Sequence, residues 1–190
     1  TFRGHRSAVT SSAFHPNLQQ VASGSADGCV MLWNFKATMR AFRYVGHRGP
    51  VNDVAFNSHG NLVASVSSDS TLRLWIPTVK GESTVIKAHA AAVRAVRFSH
   101  DSRQIITGSD DKSVKLWSTT TQRFALSFPG HQNWVRTVDM SPDGRLCASW
   151  RPPARRLLHQ TRCNLHRKLH RSLHRSCVHL KGHGGVKGAL

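Results

Sequence analysis

The sequence predicts an all-β protein built from repeated four-stranded sheets. Two observations predict it. Trp33, Trp75 and Trp117 are spaced by 42 and 42 residues, and Asp27, Asp69 and Asp111 keep the same spacing. Between these marks the apolar residues alternate with a period of two, and no helical period is visible. A fixed period of this size points to one supersecondary unit per repeat, which buries its apolar face only by stacking on its neighbours.

The elements follow in order. His5, His47, His89 and His131 each come after a small residue, Gly4, Gly46, Ala88 or Gly130. A first strand starts at Val9, Val51, Val93 and Val135 and ends at Phe14, Phe56, Phe98 and Met140, with Val54, Val96 and Val138 between. The apolar step there is three, then two, as a β-bulge produces. Turn-forming HPNLQQ, SHGN, SHDSR and SPDGR follow. A second strand is written VASGS, VASVS, IITGS and CAS, then an Asp-centred turn, then a third strand ending in Trp. The fourth strand is more variable and is clearest at MRAFRYV and RFALSF. Four short strands per repeat describe one propeller blade. The predicted blades are 5–46, 47–88, 89–130 and a partial 131–149.

The recurring polar residues fit one hydrogen-bonded chain. Each turn Asp has a His 22 residues before it, a hydroxyl 4 before it and a Trp 6 after it. The sets are His5, Ser23, Asp27 and Trp33; His47, Ser65, Asp69 and Trp75; His89, Thr107, Asp111 and Trp117. An indole N–H can donate to the hydroxyl, the hydroxyl to one imidazole nitrogen, and the other imidazole N–H to the carboxylate. A catalytic His–Asp–Ser set is the competing interpretation, but a triad is needed once, and this set recurs beside a Trp. There is no nucleophile elbow, phosphate loop or paired carboxylate outside the repeat. The expected protein is therefore not an enzyme, with no catalytic, cofactor-binding or metal-binding residues.

Charge divides the chain. Net charge is +18, but residues 1–150 hold 17 basic and 9 acidic residues while 151–190 hold 10 basic and none acidic. The repeat keeps register through Ser149, after which the turn-Asp position is Pro153 and the Trp position is His159. Residues 150–190 form a basic tail rich in His, Arg and Leu, expected to be disordered or the product of a frameshift or mis-splicing. LHRKLHRSLHRS (165–176) also fits a basic helix touching nucleic acid or membrane, and Cys163, His166, His170 and Cys177 a metal site. Cysteines without a regular framework suit a reduced, intracellular setting. No apolar run reaches the ~18 residues of a membrane span. The start TFRGH suggests a piece of something longer. Blades that do not close a ring leave apolar faces uncovered, so the isolated chain is expected to be marginally stable and prone to aggregate.

The pattern GH…S/T…D…W over 42 residues is similar to the WD40 repeat of β-propellers, and the resemblance covers residues 1–149. The Trp is followed by Asn34, Ile76 and Ser118 instead of Asp. Within that family, LRLWIPTVKGESTVIKAHAAAVRAVRFS (72–99) and HQNWVRTVDMSPDGRL (131–146) resemble the centriolar WD40 family known as proteome of centriole protein 1. This resemblance implies a non-catalytic scaffold of centrioles and basal bodies, supporting centriole stability and assembly of cilia or flagella. It implies a cytoplasmic, cytoskeletal location and protein partners, centriolar or microtubule-associated, with tubulin among them. No small-molecule substrate and no membrane are expected. It also implies a propeller of seven repeats with a short C-terminal coiled coil, and that C-terminal region is not recognisable here.

Propellers bind partners at the rim near the central channel. The rim candidates are Trp134, Arg94, Arg136, Asn52, Asp110, Arg6 and Arg48. Trp and Arg dominate interface energetics, which makes Trp134 with Arg94 and Arg136 a candidate hot spot. Trp134 packed against a neighbouring blade is the alternative. A basic rim suits an acidic partner such as a tubulin surface. Two other functions compete: a WD40 adaptor in another complex, and nucleic-acid binding through the basic tail. The phrases VKGES and NWVR, uncommon in generic repeats, weigh against the first.

Overall fold

A computed structural model describes residues 3–35, 41–128, 130–151, 155–160 and 178–179. Every regular element among them is a strand, and the strands form antiparallel sheets of four in chain order. The first sheet is β1 (Val9–Phe14), β2 (Gln20–Ser25), β3 (Cys29–Asn34) and β4 (Ala41–Val45). The second is β5 (Val51–Phe56), β6 (Val63–Ser67), β7 (Thr71–Trp75) and β8 (Ser83–Lys87). The third is β9 (Val93–Phe98), β10 (Gln104–Ser109), β11 (Val114–Ser118) and β12 (Phe124–Phe128). The fourth is β13 (Thr137–Met140), β14 (Leu146–Arg151), β15 (Arg155–Gln160) and β16 (Val178–His179).

The first strands meet one another: β5 packs on β1 and β9, and β9 on β13. The chain is thus a propeller fragment with three complete blades and a partial fourth. Register slips occur where the uneven apolar step predicts them. Pairing passes from Val9 to Ser11, from Val51 to Asp53 and from Val93 to Ala95, so Thr10, Asn52 and Arg94 are the bulged residues. A bulge re-aims one side chain without ending the strand.

Each sheet-to-sheet junction holds its own core. Ala22, Val30, Leu32 and Tyr44 of the first sheet meet Val51, Val54, Val63 and Trp75 of the second. Val66, Leu72 and Leu74 meet Val93, Val96, Ile105 and Trp117 at the next junction, and Ile106, Val114 and Leu116 meet Val135, Val138 and Cys147 at the last. Gly24 and Gly108 are required by this stacking. A Cβ at Gly24 would lie 2.6 Å from the Val51 side chain, and one at Gly108 2.7 Å from Val135. Val51, Val93 and Val135 are fully buried, whereas Val9, their counterpart in the first sheet, is 56% exposed because no sheet covers it.

In the fourth sheet the strand that contains Ser149 continues beyond it. Strand β14 runs through it to Arg151, and β15 pairs along β14 from Arg151↔Arg155 to Leu146↔Gln160. Leu157 in β15 is buried. Backbone pairing needs neither the Asp nor the Trp that is missing there, so a strand forms without those side chains. Apart from β16, the remaining residues of 150–190, including the LHR repeats and the Cys163–Cys177 set, lie outside the described residues.

Candidate protein-binding rim and the clasps beneath it

The turn between the second and third strands sets the geometry. In each complete blade it closes through an N–H to C=O bond: Gly28 to Ser25, Ser70 to Ser67, Lys112 to Ser109. The closing residue has positive φ, 77° at Gly28, 69° at Ser70 and 68° at Lys112. Only the first is a glycine, so Ser70 and Lys112 adopt a backbone region that side chains disfavour. The preceding Asp points its carboxylate back toward the His of its own repeat.

In the second blade the Trp75 indole N–H donates to Ser65 Oγ at 2.7 Å, and Ser65 Oγ lies 2.8 Å from His47 Nε2. His47 Nδ1 lies 3.0 Å from Asp69 Oδ2. The third blade repeats this with Trp117 to Thr107 at 2.9 Å, Thr107 to His89 at 2.8 Å and His89 to Asp111 at 2.8 Å. The first has Trp33 to Ser23 at 2.8 Å, Ser23 to His5 at 2.7 Å and a longer His5 to Asp27 contact at 3.3 Å. In the fourth, His131 Nε2 meets Ser149 Oγ at 2.6 Å.

Burial by itself would push these carboxyls up, but the donors around them prevail. Asp69 is held down to about 2 by the Thr71 hydroxyl and by the N–H groups of Arg48 and Thr71. Asp111 reaches about 2 through Ser113 and His89, and Asp27 about 2 through the N–H groups of Arg6 and Cys29 and through His5. His47 and His89 are shifted below the ordinary imidazole value by burial, against the pull of Asp69 and Asp111. A neutral ring with its proton on Nδ1 supplies the donor the Asp needs and leaves Nε2 to accept from the hydroxyl. These groups are committed to one another inside the blade.

Two partners in this layer carry no mark in the four-residue pattern. Thr71 and Ser113, two residues after the Asp, each donate to its Oδ1 at 2.6 Å. The first blade has Cys29 there, and Arg43 reaches its sulfur through Nε at 3.2 Å and Nη2 at 3.1 Å. The more consequential omission is Asp53. It is 8% exposed and accepts from Ser11 Oγ at 2.7 Å, Val96 N at 3.1 Å and Arg97 Nη1 at 2.7 Å. One carboxylate thereby ties three sheets together. An acid in the middle of the apolar strand VNDVAF was the available signal.

Above the clasps, the loop after each His lies beside the turn of the same blade. Ala26 N–H donates to Ala8 C=O, Ser68 to Pro50 and Asp110 to Ala92. Val135 N–H donates to the Ser109 carbonyl beside the third turn, so the seven rim candidates fall at one end of the sheets. Arg6 and Arg48 are exposed, and their N–H groups cap Asp27 and Asp69. Asn52 spans Ser68 Oγ at 3.1 Å and the Val93 carbonyl at 2.6 Å. Arg94 is forked onto Asp110, its Nε 3.0 and 2.9 Å from the two carboxylate oxygens. Trp134 is 46% exposed, and the Arg136 guanidinium lies over its ring at 5.1 Å.

The protein-family model described as WD domain, G-beta repeat matches residues 1–34, 39–75, 81–118 and 122–149. The chain belongs to the WD40 repeat family. The three complete His–Ser/Thr–Asp–Trp clasps fall within the first three matched segments. The chain is also 56% identical over 43 residues to POC1 centriolar protein homolog A of Xenopus tropicalis, covering 23% of this chain and 10% of that protein. POC1 centriolar protein homolog B of Xenopus laevis is 56% identical over 43 residues, covering 23% and 9%. The homolog B of Mus musculus is 49% identical over 45 residues, covering 24% and 10%. The matched stretch thus spans about a tenth of each curated relative, as the 10%, 9% and 10% coverages give.

Proposed function

We propose that this WD40 chain is a non-catalytic scaffold of centrioles and basal bodies that binds proteins through the loop end of its blades. The similarity to proteins named as centriolar, 56% over 43 residues, carries this reading. The committed state of every clasp residue supports a scaffold rather than a catalyst, since no His, Asp or hydroxyl of the set is left to act on a substrate. The scaffold supports centriole stability and the assembly of cilia or flagella, with centriolar or microtubule-associated partners. The chain tagged with a fluorescent protein and expressed in ciliated cells is expected to form foci that coincide with a centriole marker and persist when microtubules are depolymerised. A uniformly cytoplasmic or a nuclear signal would contradict the assignment.

A further inference from the structure

The rim is uneven, and its unevenness singles out one place. At the first two bulges the side chain latches onto the next sheet: Thr10 Oγ1 donates to the Val51 carbonyl at 2.6 Å, and Asn52 Nδ2 to the Val93 carbonyl at 2.6 Å. At the third, Arg94 turns back onto Asp110 of its own sheet. The following segment is brought alongside by backbone, because Val135 N–H donates to the Ser109 carbonyl, one residue before Asp110. On that segment Trp134 is exposed and carries the Arg136 guanidinium on its face.

The charge at this end is uncompensated among the described residues. Its carboxylates are all engaged: Asp27, Asp69 and Asp111 in the clasps, Asp110 by Arg94. Arg6, Arg48, Lys112 and Arg136 are exposed there and make no ion pair with a described acid. Trp134 restrains the Arg136 side chain, so a planar fork is held ready and little freedom is lost when a carboxylate binds it. Resting on the reading that this end binds proteins, we infer that Trp134 and Arg136 are the receptor for an acidic peptide segment, with Lys112, Arg48 and Arg6 drawing it along the rim. A peptide is favoured over a nucleic acid because Arg136 occupies one face of the Trp134 ring and no second exposed aromatic is described at this end to extend a stacking platform.

Fluorescence anisotropy with a labelled glutamate–glycine repeat peptide tests this on the whole chain. Arg136→Gln and Trp134→Ala are each expected to weaken binding about tenfold, and Arg136→Lys, which keeps charge but loses the fork, by about threefold. Arg103→Gln, in the turn at the opposite end of the third sheet, is expected to leave binding unchanged. Urea midpoints equal to that of the parent chain show that the variants fold. No peptide binding, equal binding by the Arg136 variants, or tighter competing binding of a single-stranded RNA of equal charge would each overturn the inference. Centriolar foci that survive in Arg136→Gln would leave the scaffold reading standing without it.

Discussion

Trp75→Ala is expected to lower the unfolding free energy by about 3–5 kcal/mol, the range for removing a large buried aromatic side chain. Trp75 is 2% exposed and belongs to the core between the first two sheets. Tyr44 of the first sheet stacks on it at 5.4 Å, and Arg73 lies over its ring at 5.5 Å. Alanine would open a cavity at a sheet junction and remove the donor to Ser65 Oγ. Trp75→Phe retains most of the apolar contact and loses only the N–H, so about 1–2 kcal/mol is expected from the hydrogen bond. Urea unfolding followed by circular dichroism measures both. Small domains hold only about 5–15 kcal/mol in total, so the alanine variant is expected to lie near the limit of folding. An unchanged urea midpoint for Trp75→Ala would contradict the packing described.

Asp53→Ala is expected to cost about 2–3 kcal/mol, because it strands the buried N–H groups of Val54 and Val96 and removes the acceptor of the half-buried Ser11 and Arg97. All its described partners are donors: Ser11 O–H, the Val54 and Val96 N–H groups, and the Arg97 guanidinium. Asn keeps the shape but turns one acceptor into an NH2 facing donors, so Asp53→Asn is expected to lose nearly as much as Asp53→Ala. The Arg97 side chain is 42% exposed, and a double-mutant cycle with Arg97→Ala should therefore assign it under about 1 kcal/mol of coupling. An asparagine variant as stable as the parent would show that the carboxylate is not the tie.

Why one of these residues was legible in sequence and the other was not has a physical answer. Trp75 repeats at Trp33 and Trp117 because every blade needs the same donor at the end of its third strand. Asp53 occurs once, its counterparts being Ser11, Ala95 and Thr137, so a periodic reading passes over it. The bulges were legible as a missing step in the apolar alternation, and the bulged Thr10, Asn52 and Arg94 are where the side chains differ most in use. The exposure of Trp134 was not legible, because Ala8, Pro50 and Ala92 at the same position say nothing about an aromatic there. The strand β15 was missed for the opposite reason. The sequence loses its marker side chains after Ser149, while the ladder from β14 continues through backbone groups alone.

The stacked blades require the Trp–Ser/Thr–His–Asp clasps to exist as closed chains in solution. Hydrogen exchange of the indole N–H groups, resolved by NMR with nitrogen-labelled tryptophan, tests this most directly. The indole N–H signals of Trp33, Trp75 and Trp117 are expected to exchange slowly, with Trp75 and Trp117 slowest because sheets cover them on both sides, while that of Trp134 exchanges at the rate of an exposed indole. Trp75 and Trp117 exchanging as fast as Trp134 would contradict it.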